Sequence, residues 1–244
     1  MDDKKILVMI PTYNERENVE KMHTEIRQTG IDTDIVFVDD NSPDGTGAVL
    51  NELAKNDPRL LVIHRPGKQG IGSAHKDGIA WVYAHGYTHL VTMDCDFTHS
   101  PSDIKDFLAN AEVNDVVVGS RHMLENSLEG WNLWRKCITR TGHLLTTILL
   151  KMPYDATGAF RLYRLDRIPP ALFGKVESRG YSFFIESLTI ITLNGFSIKE
   201  VPIALPPRTY GHSKLQFRDM VQWGLFMLGL AFNIRLSRKK YLLP

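Results

Sequence analysis

Asp94 and Asp96 stand one residue apart behind the apolar run "HLVTM", inside the stretch "TMDCDFTHSP" at residues 92–101. Along extended chain, residues i and i+2 face the same way, so the two carboxylates can share one side of a strand end. The D-x-D-x-T pattern fits two chemistries. In one, hard carboxylate oxygens clamp Mg²⁺ or Mn²⁺ against the phosphates of a nucleotide. In the other, Asp94 is a phosphatase nucleophile and Asp96 its general acid. The phosphatase arrangement expects the motif on the first strand with apolar residues after the Thr. Here it follows about the fourth strand and runs into "HSP", which favours the clamp.

A second acidic pair, Asp39 and Asp40, ends the run "DIVFVDD", followed by the turn-forming "NSPDGT". Turn chemistry accounts for Asn41 to Gly45 but not for two adjacent acids, which can accept from a base N–H or from ribose hydroxyls. "PTYNE" offers Tyr13 for stacking on a base and Glu15 at a helix start. "GKQGIGSAHKDG" imitates a dinucleotide fingerprint through Gly70 and Gly72, but its third position is His75 and it follows the third strand. It reads as a loop with Ser73 as helix cap. Cations gather later: Arg121 after a strand, Arg135 and Lys136 on a long helix with Thr139 one turn on from Arg135, Arg161, then Arg208 and Lys214 in a loop. Together they read as a polyanion site. A sugar hydroxyl acceptor needs a general base, and "GYSFFIES" offers only Glu186 among aromatics. A phosphate monoester acceptor, whose second pKa is about 6, needs none.

These residues need a frame that carries strand ends to one edge. The first half alternates apolar runs ("KILVMI", "DIVFVDD", "LLVIH", "HLVTMD", "DVVVGSR") with helical patterns over Glu15–Thr29, Thr46–Ala54 and Ser73–Ala84. That alternation predicts a mostly parallel sheet sandwiched by helices, with ligands at the carboxyl ends of its strands. Further helices are expected over Trp131–Lys151 and Tyr181–Leu193, and a strand at "FSIKEVPI". The chain of 244 residues has a net charge of +1, which selects no nucleic acid. Its two cysteines, Cys95 and Cys137, argue against a disulfide framework. From Arg208 to Lys240 seven Lys/Arg face one acid, Asp219, beside the apolar stretch 220–234. That stretch is shorter than the roughly 18 apolar residues a membrane span needs, and suits an amphipathic or interfacial helix on an anionic lipid surface. The organisation expected is one α/β domain over 1–218 with a membrane-associating segment at 219–244.

"PTYNERENV", "VDDNSPDGT", "MDCDFTHSP", "GSR", "RK" in the long helix, "DATGAFRLYR" and "RTYGHSK" occur in this order. The chain thereby resembles the family 2 glycosyltransferases of GT-A (Rossmann-like) fold, and more narrowly the dolichyl-phosphate mannose synthase and polyprenyl-phosphate glycosyltransferase branch, over about residues 6–218. The resemblance implies inverting transfer of a sugar, mannose from GDP-mannose first, to a polyprenyl or dolichyl phosphate, with Mg²⁺ or Mn²⁺ as cofactor. A soluble glycosyltransferase with a hydroxyl acceptor and the phosphatase remain the alternatives. It implies that Pro11, Tyr13, Glu15, Asp39, Asp40, Asp94, Cys95, Asp96, Arg208 and Lys214 bind the nucleotide sugar. Asp94, Asp96 and Thr98 would hold metal; Arg121, Arg135 and Thr139 would hold the acceptor phosphate; Asp96, Arg121 and Arg135 would carry catalysis. The partners implied are the donor, the lipid acceptor, a membrane surface and a membrane-anchoring subunit, with the protein peripheral on the cytoplasmic side. Thr98 replaces a common Gln, "DATGAFR" replaces D-x-x-S-G-F-R, and Phe184 stands where Gln is commoner.

Overall fold

The computed structural model describes residues 4–125, 127–131, 133–206 and 217–244, without the side chains of 134, 135 and 217–221. Its strands are β1 (Ile6–Thr12), β2 (Asp34–Asp39), β3 (Leu60–His64), β4 (His89–Thr92), β5 (Val116–Ser120), β6 (Arg161–Arg164) and β7 (Ile198–Pro202). The helices are α1 (Val19–Gln28), α2 (Thr46–Asn56), α3 (Ile71–Ala84), α4 (Ile104–Ala111), α5 (Leu133–Leu150), α6 (Pro170–Gly174), α7 (Ser182–Leu193) and α8 (Phe217–Ser237). The strands form one sheet in the order β3-β2-β1-β4-β6-β5-β7. β6 runs antiparallel to both neighbours and the other pairings are parallel.

The apolar runs become buried strands because both faces are covered. In β1, Leu7 and Met9 belong to one core with α3, α7 and α8, whereas Val8 and Ile10 belong to the other with α1, α2 and α4. Period-two alternation thus feeds two hydrophobic layers, and the expected sandwich is what forms. α8 is part of it, with Met227, Leu230 and Ala231 buried, and Tyr241 just beyond also buried.

The chain order reverses around β1, which lies between β2 and β4. In an open α/β sheet the crevice at such a switch point lies outside the carboxyl ends of the strands. The segments leaving β1, β2 and β4 carry Tyr13–Glu15, Asp40–Asp44 and Asp94–Thr98.

Candidate active site

Three of the four non-glycine residues with positive φ among the described residues stand on those segments: Asn14 (57°), Asn41 (54°) and Phe97 (60°). A bulky residue in the left-handed region is held there by its surroundings, and such strain concentrates at functional sites. Around Phe97 the holding contacts are visible. Asp96 Oδ1 accepts from the Thr98 N–H at 3.1 Å and from the Thr98 hydroxyl at 2.6 Å. β4 ends at Thr92, so this turn, and not continued extended chain, sets where the Asp96 carboxylate goes. Asp96 and Thr98 are buried, and the Asp94 side chain is 30% exposed. The Asp94 N–H donates to His99 Nδ1 at 3.0 Å, and His99 stacks on Phe160 with centroids 5.0 Å apart. Cys95 is buried and its side chain joins the core layer of α1, α2 and α4, so its backbone is the part that faces the site edge.

Asp94 and Asp96 suit a hard cation. They offer carboxylate oxygens, and among the described residues no group of three or more His, Cys, Asp or Glu forms a closed metal cage. Two carboxylates leave the remaining positions to substrate phosphate and water, the ligand set Mg²⁺ and Mn²⁺ accept.

The acids after β2 are more committed than their sequence implied. Asp39 accepts from the Ser42 hydroxyl at 2.5 Å and the Ser42 N–H at 3.3 Å. Asp40 pairs with Arg65 Nη1; Arg65 also reaches Asp77 (2.9 Å) and the Ser73 hydroxyl (2.6 Å). Arg65 and Asp40 are both buried, and the pair ties the end of β2 to α3. Arg65 went unread in the sequence because its partner lies 25 residues away. Ser73 serves this network and does not cap α3, whose cap is Gly70. Gly70 and Gly72 also have a packing reason: a Cβ at Gly72 would lie 2.6 Å from the Gly180 carbonyl and from Phe183 Cβ.

Around β1, the Lys68 ammonium lies 4.3 Å over the Tyr13 ring, so a cation already covers one face of the expected stacking surface. Glu15 Oε2 accepts from Asn18 Nδ2 at 2.7 Å, and the Glu15 N–H donates to Thr46. Pro11 is half-buried in β1.

The cations collect beyond β5. Arg121 clamps Asp155 through Nε (2.7 Å) and Nη2 (3.1 Å), and Nη2 also reaches Thr157. Among the described residues Nη1 has no hydrogen-bond partner, which leaves its two N–H donors for a ligand. Burial pushes the Asp155 carboxyl up, but the Arg121 charge and its hydrogen bonds outweigh that and hold it at about 2. A cavity of about 410 Å³ opens beside Arg121, lined also by His122, Lys136 and Arg140. Among the described side chains the α5 residues lining it are Lys136 and Arg140, each one position on from the expected Arg135 and Thr139. Thr139 is half-buried on α5, and the Arg135 side chain lies outside the described residues. Arg208 and Lys214 lie outside them as well.

Glu186 does not behave as a free base: buried, it accepts the backbone N–H groups of Glu177 (3.2 Å) and Ser178 (2.8 Å). Phe184 is buried against His75 and Arg161, away from any surface a lipid or sugar could touch.

Comparison with known proteins places this arrangement. The family described as "Glycosyl transferase family 2" matches residues 7–166. The polyprenol monophosphomannose synthase of Mycolicibacterium smegmatis is 35% identical over 232 residues, 91% of this chain and 88% of its own length. The undecaprenyl-phosphate mannosyltransferase of Micrococcus luteus is 34% identical over 229 residues, 91% of this chain and 94% of its own. A Pyrobaculum calidifontis mannosyltransferase, solved in complex with GDP-Man and Mn²⁺, shares the fold at 15% identity. Its TM-score is 0.51, over 97% of this chain and 76% of that one.

Proposed function

This chain belongs to glycosyl transferase family 2 and is a sugar transferase, and on that premise we propose that it moves mannose from GDP-mannose to a polyprenyl phosphate at a membrane surface. The observation that carries this reading is the pairing, at one end of the sheet, of strand-end carboxylates with a cavity into which Arg121, Lys136 and Arg140 bring cations. Glu186 is spent on backbone amides. Burial holds the His122 imidazole neutral down to about pH 4, far below the range of an effective base at neutral pH. A hydroxyl acceptor is thus poorly served, whereas a phosphate acceptor brings its own nucleophilic oxygen. The curated relatives, at about a third identity over most of the chain, carry names of the same kind.

In this reading Asp94 and Asp96 hold Mg²⁺ or Mn²⁺, which when bound supplies positive charge to the leaving diphosphate. Thr98 braces Asp96 through its hydroxyl. Asp39, Asp40, Tyr13 and Glu15 shape the nucleotide side. Arg121, through Nη1, holds the acceptor phosphate with Lys136 and Arg140, joined by Arg135 and Thr139. Arg208 and Lys214 neutralise the departing diphosphate. An acceptor oxygen attacks the anomeric carbon from the side opposite the diphosphate, so catalysis is positioning plus electrostatics.

The membrane side of the proposal rests on α8. Leu225, Leu228, Phe232 and Leu236 recur on one helical face, each more than half exposed. α5 packs against α8 and exposes Leu144 and Ile148. Arg235, Arg238 and Lys239 stand exposed at the helix end, as an anionic lipid surface requires. Among the described residues no helix is long and apolar enough to cross a membrane, so peripheral docking is the form proposed.

The test is one panel: labelled GDP-mannose and UDP-glucose with polyprenyl phosphate in detergent, with and without Mg²⁺ or Mn²⁺. A mannosyl phospholipid that forms only with divalent cation is expected. Equal transfer to the free polyprenol, or to a sugar hydroxyl, overturns the acceptor assignment.

A further inference from the structure

The cavity beside Arg121 is balanced in charge. Arg121, Lys136 and Arg140 face Glu125 and Glu129 on its wall and Asp155 behind Arg121. Three cations meet three carboxylates, so among the described side chains nothing net awaits a phosphate dianion. The group on its wall whose charge is poised to change is the His122 imidazole. His122 lines the cavity and stacks on His143, with centroids 4.1 Å apart and planes at 16°. His122 Nε2 lies 3.7 Å from Asp155 Oδ2, the oxygen that Arg121 Nε also holds. His143 Nδ1 is buried with no hydrogen-bond partner.

We propose that His122, with His143 stacked on it, takes up a proton as the acceptor's phosphate enters this cavity, and releases it once that phosphate has become a diester. The proposal rests on the acceptor reading above. The charges follow from general chemistry. An oxygen of the phosphate dianion forms a bond to the anomeric carbon. The bond from that carbon to the donor diphosphate breaks, and its electron pair leaves with the diphosphate. The acceptor phosphate falls from two negative charges to one, no proton moves in the transfer itself, and the His122 proton returns to solvent. The imidazolium thus favours substrate over product in the same cavity.

The groups around His122 set the direction. Arg121, Glu125 and Glu129 lie on its own segment, Lys136, Arg140 and His143 on α5, and Asp155 before β6, its N–H held by Glu200 of β7 at 2.7 Å. In the empty protein burial, His143, Arg121 and Arg140 outweigh Asp155 and keep His122 at about 4. A dianion within about 4–6 Å favours the charged imidazole and raises that value by about 1–3 units, towards the phosphate's own second pKa of about 6. Affinity for the dianion then falls as pH rises through the bound-state value.

The experiment follows the His122 Cε1–H resonance, assigned with His122→Asn, through a pH titration. It uses the full chain alone, with the ten-carbon citronellyl phosphate, and with citronellol. An upward shift of about two units or more with the phosphate alone is expected. His122→Asn should raise the acceptor KM several-fold more than it lowers kcat, narrow the preference for citronellyl phosphate over its mannosyl diester, and leave the melting temperature in place. A His122 titration unmoved while citronellyl phosphate shifts other resonances overturns the inference and leaves the acceptor reading standing. No binding of citronellyl phosphate also overturns it, and the transfer assay with polyprenyl phosphate then decides that reading separately.

Discussion

The Thr98 hydroxyl donates a hydrogen bond to Asp96 Oδ1 at 2.6 Å, and the Thr98 N–H donates to the same oxygen at 3.1 Å. The arrangement recurs where Thr46 donates to Asp44 Oδ1 from hydroxyl (2.6 Å) and N–H (3.0 Å). A looser copy joins Thr157 to Asp155 at 3.3 and 3.4 Å. The first D-x-T lies where the loop after β2 enters α2 at Thr46, the second in the loop after β4 and the third in the loop before β6. A threonine two residues on locks one carboxylate oxygen and leaves the other to be aimed. The Thr at position 98 is therefore a brace for Asp96, and the second Asp96 oxygen is the one assigned to metal.

Removing that brace has a predictable cost. Thr98→Val loses a hydrogen bond to a charged group, about 1.5–3 kcal/mol, so turnover should drop about 10- to 100-fold at one metal concentration. Thr98→Ser should keep most activity, and Asp96→Asn should lose nearly all of it. Steady-state rates with titrated Mn²⁺ check this; a Thr98→Val enzyme as fast as wild type sinks the brace.

Arg65→Met leaves Asp40 buried without its cation, which typically costs about 3–5 kcal/mol. Asp77, the other carboxylate on Arg65, is more than half exposed, so Asp77→Asn should cost under about 1 kcal/mol. Urea denaturation of both variants measures the difference. Donor KM should rise in Arg65→Met, because the segment carrying Asp40 loses its anchor to α3.

Gly72→Ala forces a methyl to within 2.6 Å of the Gly180 carbonyl and Phe183 Cβ. Backbone cannot yield as a side-chain tip does, so a loss of about 1–3 kcal/mol is expected. Gly67 has open space at the corresponding point, and Gly67→Ala should be close to neutral. Thermal melts of the two proteins suffice.

Burial lowers His75 from its ordinary 6.5 to about 4, the hydrogen bond to Ile71 notwithstanding. The unfolded chain then binds a proton at pH values where the folded one does not. Stability is therefore flat above pH 6.5 and falls as pH drops from 6.5 towards 4, by up to about 1.4 kcal/mol per unit from this residue. His75→Gln should flatten that part of the slope in urea midpoints taken between pH 7 and pH 4. An unchanged slope would assign the effect to His89 and His122, which burial lowers in the same direction.

Phe232→Glu and Leu228→Glu put charge on the exposed stripe of α8 without touching its buried Met227 and Leu230. Flotation with anionic vesicles should fall several-fold for each, and more for the pair, with the melting temperature retained. Undiminished flotation would remove α8 from the membrane proposal.

The residue order alone determined the sheet, its helical layers and the place of the acids at strand ends. Those features follow from short-range geometry: a period of two along a strand, 3.6 along a helix, and turn residues that break both. The motif order from "PTYNE" to "DATGAFR" likewise carried the family. Tertiary structure decided partnership. Arg65 to Asp40, Arg121 to Asp155 and Gly72 to Gly180 join residues 25, 34 and 108 positions apart. Whether Lys136 and Arg140 line the cavity depends on the rotation of α5 about its axis, which packing against α8 and the sheet sets, and a one-residue turn of a helix moves a side chain by about 100°. Cys95 shows the same limit from the other side. Two acids flank it in the sequence, and only the core beneath β4 turns its sulfur away from the site that they form.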